Sequence, residues 1–517
     1  MKLRNTLTTS YTCVLLLALT ACASIPADFE QVPSKSWQKP ELTPLGEFFD
    51  SYAPADPTLS GVRLLANPRE AFNARFGVAA LAEKSLDLQY YLWKSDLTGQ
   101  LLLYRALQAA DRGVHVRILI DDIYHSGRDN NYAAIDSHPN MEVRVYNPMG
   151  TRGAGKGANM VYHKGSLDHR MHNKIFLADS AVAVLGGRNI GDDYFGVDEK
   201  LNFRDLDVLA VGPAAKEAGE AFDMYWNSPA AVPIGVLLKE PVAETALELR
   251  HGKLKASLEE MNALPYTVPK EEEEIRENLE QLAEELVWAK TKIIIDSLER
   301  FEGGSESAFV ELTNEILEKA EHEIVVETAY LIPTKEGIAK TGGTTQRGVR
   351  VRILTNSLQS NNHSTVHSHY MKYRKSMIEA GIELHELRPD PEILEHYKQV
   401  ESRVAESHAG LHAKAFVVDR RLSMIGSYNM DPRSRIWNSE IGLLIDSEEF
   451  AEKVLDIMEM DLDPANSYRV TLDEKGKLRW TAEGPDGPVV WNKEPGTSAW
   501  KRFTLRFMSW IPMEKEL

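Results

Sequence analysis

MHNKIFLADSAVAVLGGRN at residues 171–189 and LHAKAFVVDRRLSMIGSYN at 411–429 align without a gap. Each contains His-x-Lys-x4-Asp, as His172/Lys174/Asp179 and His412/Lys414/Asp419. Each then repeats a glycine and an asparagine at equal offsets, Gly186/Asn189 and Gly426/Asn429. One such motif arises by chance in roughly a few per cent of chains this long, and a second copy in register excludes chance. Side chains at i and i+2 of a strand share a face, so His172 projects with Lys174 and His412 with Lys414. The polar pairs Asp179-Ser180 and Asp419-Arg420 predict turns, and the apolar run after each returns Asn189 or Asn429 to the side of its histidine.

Outward from these motifs the repetition continues. SLDLQYYLW (85–93) parallels EIVVETAYLIP (323–333), DRGVHVRILIDD (111–122) parallels QRGVRVRILTNS (346–357), and NMEVRVYNP (140–148) parallels GIELHELRP (381–389). The order is the same in both halves, which makes the chain one ancestral unit used twice, with a period too long for a solenoid. Leu101 to Asp111 has apolar residues at helical spacing, and Val114 to Ile120 reads as a buried strand after the Arg112-Gly113 break. Alternating strands and helices predict an α/β fold: two similar α-β-α sandwich domains, each with its own sheet, sharing one active site at their interface. The expected boundaries are a first domain at 60–230, a charged helical connector at 231–300, a second domain at 301–466 and a C-terminal extension at 467–517.

The formal net charge of −18 over 517 residues argues against nucleic acid as a partner, since phosphate backbones demand a basic stripe. Residues 1–21 carry Lys2 and Arg4 ahead of a short apolar run and end before Cys22, the pattern of an export signal too short to span a bilayer. Leu19-Thr20-Ala21-Cys22 resembles a bacterial lipobox, which implies lipidation of Cys22, a linker over 22–59, and a lipoprotein of the cell envelope facing the periplasm or exterior. Cys13 lies within the removed piece, so a mature chain keeps one cysteine and no internal disulfide. The stretch Glu240–Glu285, with its run Glu271–Glu274, predicts solvated helix without chemistry. TRGAGKGANMVYHKG (151–165) predicts a long basic loop beside the first motif, with Arg152, Lys156, His163 and Lys164.

Two histidines, two lysines and two asparagines around one pocket form a cluster of donors and positive charge suited to a phosphoryl group. A phosphodiester is the natural guest, and this donor set calls for no metal and no cofactor.

These residues resemble the phospholipase D superfamily over nearly the whole mature chain, and more narrowly its bacterial cardiolipin synthases of the C type. The resemblance rests on LDLQYYLW, RMHNK, LGGRNIGDDYFG, WAKTK (288–292), LTNSL (354–358), LHAK, DPRS (431–434), NSEIG (438–442) and KEPGTSAWKR (493–502). It implies a two-step exchange through a phosphohistidine, with His172 as nucleophile and His412 as general acid and base. Lys174, Lys414, Asn189 and Asn429 would hold the nonbridging oxygens. Glu440 matches the acidic partner of one histidine, and Asp205, with Asp207 as rival, would serve the other. Asp179 and Asp419 complete the signature, with turn-holding as their expected task. The first motif departs from the second in having Gly187 and Arg188 where the second has Ser427 and Tyr428.

The implied substrates are phospholipids at a membrane surface: phosphatidylglycerol as acceptor, and phosphatidylethanolamine or a second phosphatidylglycerol as donor, giving cardiolipin. The alternatives are a hydrolytic phospholipase D, an exported nuclease and a silent phosphate-binding module; acidity disfavours the nuclease and two intact half-sites disfavour the silent module. Trp500, Phe503, Phe507 and Trp510 recur at helical spacing with Lys501, Arg502 and Arg506 between them. That pattern fits either a helix at the headgroup level of a membrane or one packed on the domain surface.

Overall fold

The computed structural model describes residues 29–149, 169–303, 306–390 and 407–517. The signal-like segment, Cys22 and the 151–165 loop lie outside the described residues. In chain order the first half forms strands β1 (Ser60–Leu65), β2 (Ser85–Tyr90), β3 (His115–Asp121), β4 (Met141–Tyr146), β5 (Arg170–Met171), β6 (Ile175–Ala178), β7 (Val182–Gly186), β8 (Leu201–Arg204), β9 (Asp207–Val211) and β10 (Ala231–Pro233). After β11 (Val287–Ile295) the second half forms β12 (Glu323–Thr328), β13 (Arg350–Asn356), β14 (Glu383–Leu387), β15 (His408–Leu411), β16 (Lys414–Val418), β17 (Leu422–Gly426), β18 (Asn438–Ser439), β19 (Ile441–Asp446), β20 (Ser467–Leu472), β21 (Leu478–Gly484) and β22 (Gly487–Trp491).

The first sheet runs β10-β4-β3-β2-β6-β7-β9-β1, parallel from β4 to β2 and antiparallel beyond. The second runs β19-β17-β16-β12-β13-β14-β20-β21-β22 with the same parallel centre. Val116, Ile118 and Ile120 of β3 and Val351 and Ile353 of β13 are buried, as the near-continuous apolar runs of a covered parallel sheet require. Helices cover the outer faces: Pro68–Leu81 and Leu97–Asp111 on the first sheet, Ala308–Lys319 and Lys335–Gln346 on the second. A single apolar cluster, including Leu177 and Val208 of the first sheet and Val417 and Leu443 of the second, runs between the lobes. Helices Pro213–Trp226 and Glu448–Leu462 join it through Phe222, Trp226, Val454 and Met458.

Two expected boundaries are corrected. The connector is not helical throughout: helices Ala246–Glu260 and Glu272–Glu284 are followed by β11. The β-branched Thr291 and Ile293–Ile295 favour strand, and this strand crosses from one lobe to the other. Its start pairs with β1 and its remainder with β19, so the two sheets share an edge instead of being separate. The Glu-rich helix is also not solvated all round, because Ile275, Leu279 and Leu282 are buried. Likewise the second sheet does not stop at residue 466. The alternating SYRVTL of β20 continues it along β14, and the hairpin β21–β22 extends it further.

Candidate active site

Two short parallel strand pairs cross between the lobes. β5 pairs with β18, Arg170 opposite Asn438 and Met171 opposite Ser439, and β15 pairs with β8, Leu411 opposite Arg204. Each pairing ends at a motif histidine, whose backbone N–H donates to the other lobe: His172 to the Ser439 carbonyl at 2.9 Å, and His412 to the Arg204 carbonyl at 2.7 Å. The next residue along each partner strand is an acid. His172 Nδ1 therefore meets Glu440 Oε2 at 2.8 Å, and His412 Nδ1 meets Asp205 Oδ2 at 2.6 Å. Asp121 at the end of β3 fixes the first crossing by accepting from the Met171 N–H at 2.9 Å. Asn356 does the same for the second, accepting from the Leu411 N–H at 2.8 Å.

With Nδ1–H given to a carboxylate, each imidazole keeps its Nε2 lone pair for chemistry. All four side chains are buried. Burial, with Lys174, Lys414 and Arg433 nearby, pushes the His172 imidazole well below the usual histidine range. Burial and Lys414 lower His412 to about 3, against the pull of Asp205. The two acids differ. Burial raises Glu440 to about 7, opposed by Lys174 and by Ser427, whereas against its own burial Asp205 is held at about 2 by His412, Lys414 and Arg188. Each histidine also feels the lysine of the opposite half.

Lys174 and Lys414 each donate to the carbonyl oxygen of the histidine two residues earlier, which fixes both ammoniums at the pocket. Burial lowers Lys174 to about 7 and Lys414 to about 8. The Asn189 carboxamide is held by the Leu92 N–H, accepted at 3.2 Å, and by donation to the Tyr194 hydroxyl at 3.0 Å. Asn429 is buried, and among the described residues its Oδ1 has no partner.

Ser427 and Gly187 occupy matched places, their backbone N–H groups donating to the Ile441 and Leu206 carbonyls at 2.8 and 3.0 Å. The Ser427 hydroxyl donates to Glu440 Oε2 at 2.5 Å. At Gly187 a Cβ would stand 2.1 Å from Asp205 Oδ1, so the shorter acid leaves no room for a side chain. Asp207, the rival to Asp205, is committed elsewhere: it pairs with Arg75 at 2.8 Å and Arg188 at 3.2 Å.

The aspartates of the signature are not among the groups facing the pocket, which corrects their inclusion in the site. Asp179 and Asp419 lie at the far ends of β6 and β16, five residues or roughly 16 Å by strand rise from their lysines. Asp179 accepts from the N–H groups of Glu83, Lys84 and Ser85 at 3.0, 2.7 and 2.9 Å. Asp419 does so for Glu321, His322 and Glu323 at 2.9, 2.7 and 2.9 Å. Asp179 and Ser180 (φ 53° and 52°), like Asp419 and Arg420 (49° and 53°), form the two left-handed positions of a tight hairpin turn.

Other residues at the site had no signal in the motif. Tyr91 sets its ring edge against His172 at 4.8 Å, and Tyr194 and Phe203 flank His412, each at 5.1 Å. The contacts of Tyr194 and Phe203 with His412 come from the cross-lobe pairing and that of Tyr91 from packing within the first lobe, although Tyr91 lies within LDLQYYLW and Tyr194 within GDDYFG. Arg433, close enough to act on His172, has its backbone N–H on the Leu517 carbonyl at 2.7 Å. The KEPGT segment is anchored by buried Glu494, which pairs with Arg374 at 2.7 Å and His367 at 3.0 Å.

Two α/β lobes, each bringing a His-x-Lys motif to one pocket, define an enzyme of the phospholipase D superfamily. A family model described as cardiolipin synthase, PLD-like domain, matches twice, over residues 79–226 and 314–462, and the chain belongs to that family. It is 35% identical to cardiolipin synthase C of Escherichia coli over 469 residues, covering 89% of this chain and 96% of that protein. It is 26% identical to cardiolipin synthase A of Pseudomonas aeruginosa, covering 82% and 71%. The crystal structure of phosphatidylserine synthase from Haemophilus influenzae is similar in fold, with a TM-score of 0.55 at 12% identity over 90% of this chain and 96% of that one.

Proposed function

We propose that the chain transfers a phosphatidyl group to phosphatidylglycerol, making cardiolipin, with phosphatidylethanolamine or a second phosphatidylglycerol as donor. The observation that carries this reading is the reciprocal pair of histidine–carboxylate contacts, His172–Glu440 and His412–Asp205. It equips one pocket with two oriented imidazoles and two ammoniums. His172 Nε2 attacks phosphorus, and the bond from phosphorus to the headgroup oxygen breaks as His412 supplies a proton to that oxygen. His412 then takes the proton of the phosphatidylglycerol hydroxyl, whose oxygen attacks phosphorus and releases His172. Lys174, Lys414, Asn189 and Asn429 face the charge that builds on the nonbridging oxygens. The anionic phosphodiester favours the protonated form of His412 and of both lysines on entry, while His172, its Nδ1–H on Glu440, attacks through an unprotonated Nε2.

Membrane attachment belongs to the same proposal. Helix Ala499–Met508 buries Leu505 and turns Trp500, Phe503 and Phe507 to solvent, 72%, 60% and 62% exposed, with Trp510 81% exposed just beyond. Aromatic rings directed outward, with Lys501, Arg502 and Arg506 interleaved, suit an anionic lipid surface. Lipidated Cys22 in a bacterial envelope is the companion anchor. Among the described residues no helix is long and apolar enough to cross a membrane.

The test is to supply headgroup-labelled phosphatidylethanolamine and phosphatidylglycerol in vesicles and resolve products by mass spectrometry. Cardiolipin with free ethanolamine or glycerol is expected, and phosphatidic acid alone favours the hydrolase. Protein quenched in denaturant at mildly alkaline pH, where a phosphohistidine survives, should carry a phosphatidyl adduct that the His172→Ala variant lacks.

A further inference from the structure

The duplication gives each lobe two helices over the outer face of its sheet, and the two lobes fill that space differently. The matched ends of the first helices fix the comparison. The Ala82 N–H donates to the Val78 carbonyl and the Ala320 N–H to the Ile316 carbonyl, each closing its helix. Counting back from these caps, Phe72, Arg75 and Phe76 of the first lobe correspond to Val310, Thr313 and Asn314 of the second. The first three are fully buried and fill their layer. The second three are small or polar, and all line a crevice of about 190 Å³.

The second helices repeat the contrast. Leu97–Asp111 buries Leu101, Leu102, Leu103 and Leu107. Its counterpart Lys335–Gln346 carries Gly337, Gly342 and Gly343 and buries one large apolar residue, Ile338. A hollow of this size destabilises a core in proportion to its volume, and apolar cavities somewhat smaller, about 150 Å³, bind small hydrocarbons.

The crevice floor is apolar, with Ile324, Val326, Val351, Ile353 and Phe416. Four of its charged residues pair off as Glu306–Arg435 and Glu336–Lys340, and the fifth, Asp431, is buried at one end. At one end it reaches Tyr428, Met430 and Asp431. These are the immediate chain neighbours of Asn429, within two residues of a group facing the candidate catalytic pocket.

We propose that this crevice takes one hydrocarbon chain, an acyl chain of the phospholipid whose phosphate occupies the paired-histidine site. The proposal rests on the phosphatidyltransferase reading above. Occupancy by one chain gives the second lobe a role in recognising acyl length that the filled first lobe does not share.

Refilling the crevice in the image of the first lobe, with Val310→Phe and Asn314→Phe together, tests it. The kcat/KM ratio for dioleoyl- over dihexanoyl-phosphatidylglycerol should fall about tenfold or more, since apolar pockets discriminate methylenes at that scale. A ratio unchanged within about twofold in a variant that melts like wild type overturns the proposal.

To keep the test independent of how the double variant folds, wild-type protein is also photolabelled with phosphatidylglycerol bearing a diazirine at the end of an acyl chain. Label on peptides covering 308–319 and 335–346, persisting in excess free oleate, supports the proposal. Label elsewhere, or at these helices only from a free diazirine fatty acid, overturns it. If wild-type protein turns over neither lipid, the phosphatidyltransferase reading falls, and the label position still decides the crevice on its own.

Discussion

His172 and Glu440 are 268 positions apart in the chain, yet their side chains meet at 2.8 Å across the junction of the lobes. His412 and Asp205 mirror the contact at 2.6 Å in the opposite sense. Neither half thus holds a complete histidine–acid pair. The acids differ in charge: Asp205 is held at about 2 while burial lifts Glu440 to about 7. Near neutral pH, Glu440 already spends part of its time protonated, and glutamine imitates that form. Asp205→Asn removes a permanent carboxylate and should lower kcat by roughly 10³–10⁴-fold, the scale found for a triad aspartate. Glu440→Gln should cost roughly 10–100-fold, the low end of what a general acid–base group contributes. Steady-state rates on vesicles check the order, and equal losses would falsify the proposed asymmetry.

The lysines set an alkaline limit. Lys174 and Lys414 are lowered to about 7 and about 8 by burial, so raising pH through this range strips the empty site of its cations. Phosphodiester capture requires them charged, hence kcat/KM should fall as pH rises from 7 to 8. Bound phosphate favours the ammonium form, which should displace the same limb in kcat to higher pH. A pH–rate series that rises across this interval contradicts the role given to the lysines.

Turn residues should govern stability and leave chemistry alone. Asp179 receives backbone N–H groups of Glu83, Lys84 and Ser85. Asp179→Ala leaves those donors unmet, and the one that is buried, the Ser85 N–H, costs about 1–3 kcal/mol at most, with kcat of the folded fraction little changed. Ser180 stands at φ 52° with a buried hydroxyl that has no partner among the described residues. Ser180→Gly should stabilise the protein by about 1 kcal/mol, since glycine adopts this conformation freely. Urea unfolding of both variants, beside their rates, separates the effects.

Much of this architecture was legible in the chain because a repeated unit reports its own boundaries. The motif spacing gave the strands β6–β7 and β16–β17 and put the histidines and lysines on one face. The alternation of strand and helix after SLDLQYYLW and EIVVETAYLIP gave the layered α/β class, and the parallel pairing at the centre of each sheet came from the structure. The joining of the sheets through β11 was hidden, because WAKTKIII alternates like any edge strand and says nothing of having two partners. Tyr91, Tyr194 and Phe203 were equally hidden, since their approach to the histidines is made by tertiary pairing. Asp205 was separable from Asp207 only by Arg75 and Arg188, which claim the latter.

The C-terminal aromatics should act on membrane residence. Replacing Trp500, Phe503, Phe507 and Trp510 by serine removes rings that are all more than half exposed, so the fold should be unperturbed. Sedimentation with anionic vesicles should drop several-fold for protein lacking residues 1–28, where no lipid anchor can mask the loss. Turnover of a soluble short-chain lipid should persist. Unchanged sedimentation would assign this helix to another task.

Gly187 offers the sharpest test of how the two half-sites diverged. A Cβ there would lie 2.1 Å from Asp205 Oδ1 and 2.9 Å from its carboxyl carbon. The carboxylate cannot simply yield, because Oδ1 accepts from the Leu206 N–H at 2.8 Å and Oδ2 holds His412. Gly187→Ser should therefore displace Asp205 and depress kcat nearly as far as Asp205→Asn, with a modest loss of stability. The second half accommodates serine at the matched position by using the longer Glu440, to which Ser427 donates at 2.5 Å. Transplanting that pairing, as Gly187→Ser with Asp205→Glu, should restore activity at least tenfold over Gly187→Ser alone, the size of a double-mutant coupling of about 1.4 kcal/mol or more. Its restored carboxylate should titrate higher than Asp205, as Glu440 does, and move the acid limb of the pH profile upward. Additive losses in the double variant, measured in a full mutant cycle, would show that the glycine and the aspartate are not a matched pair.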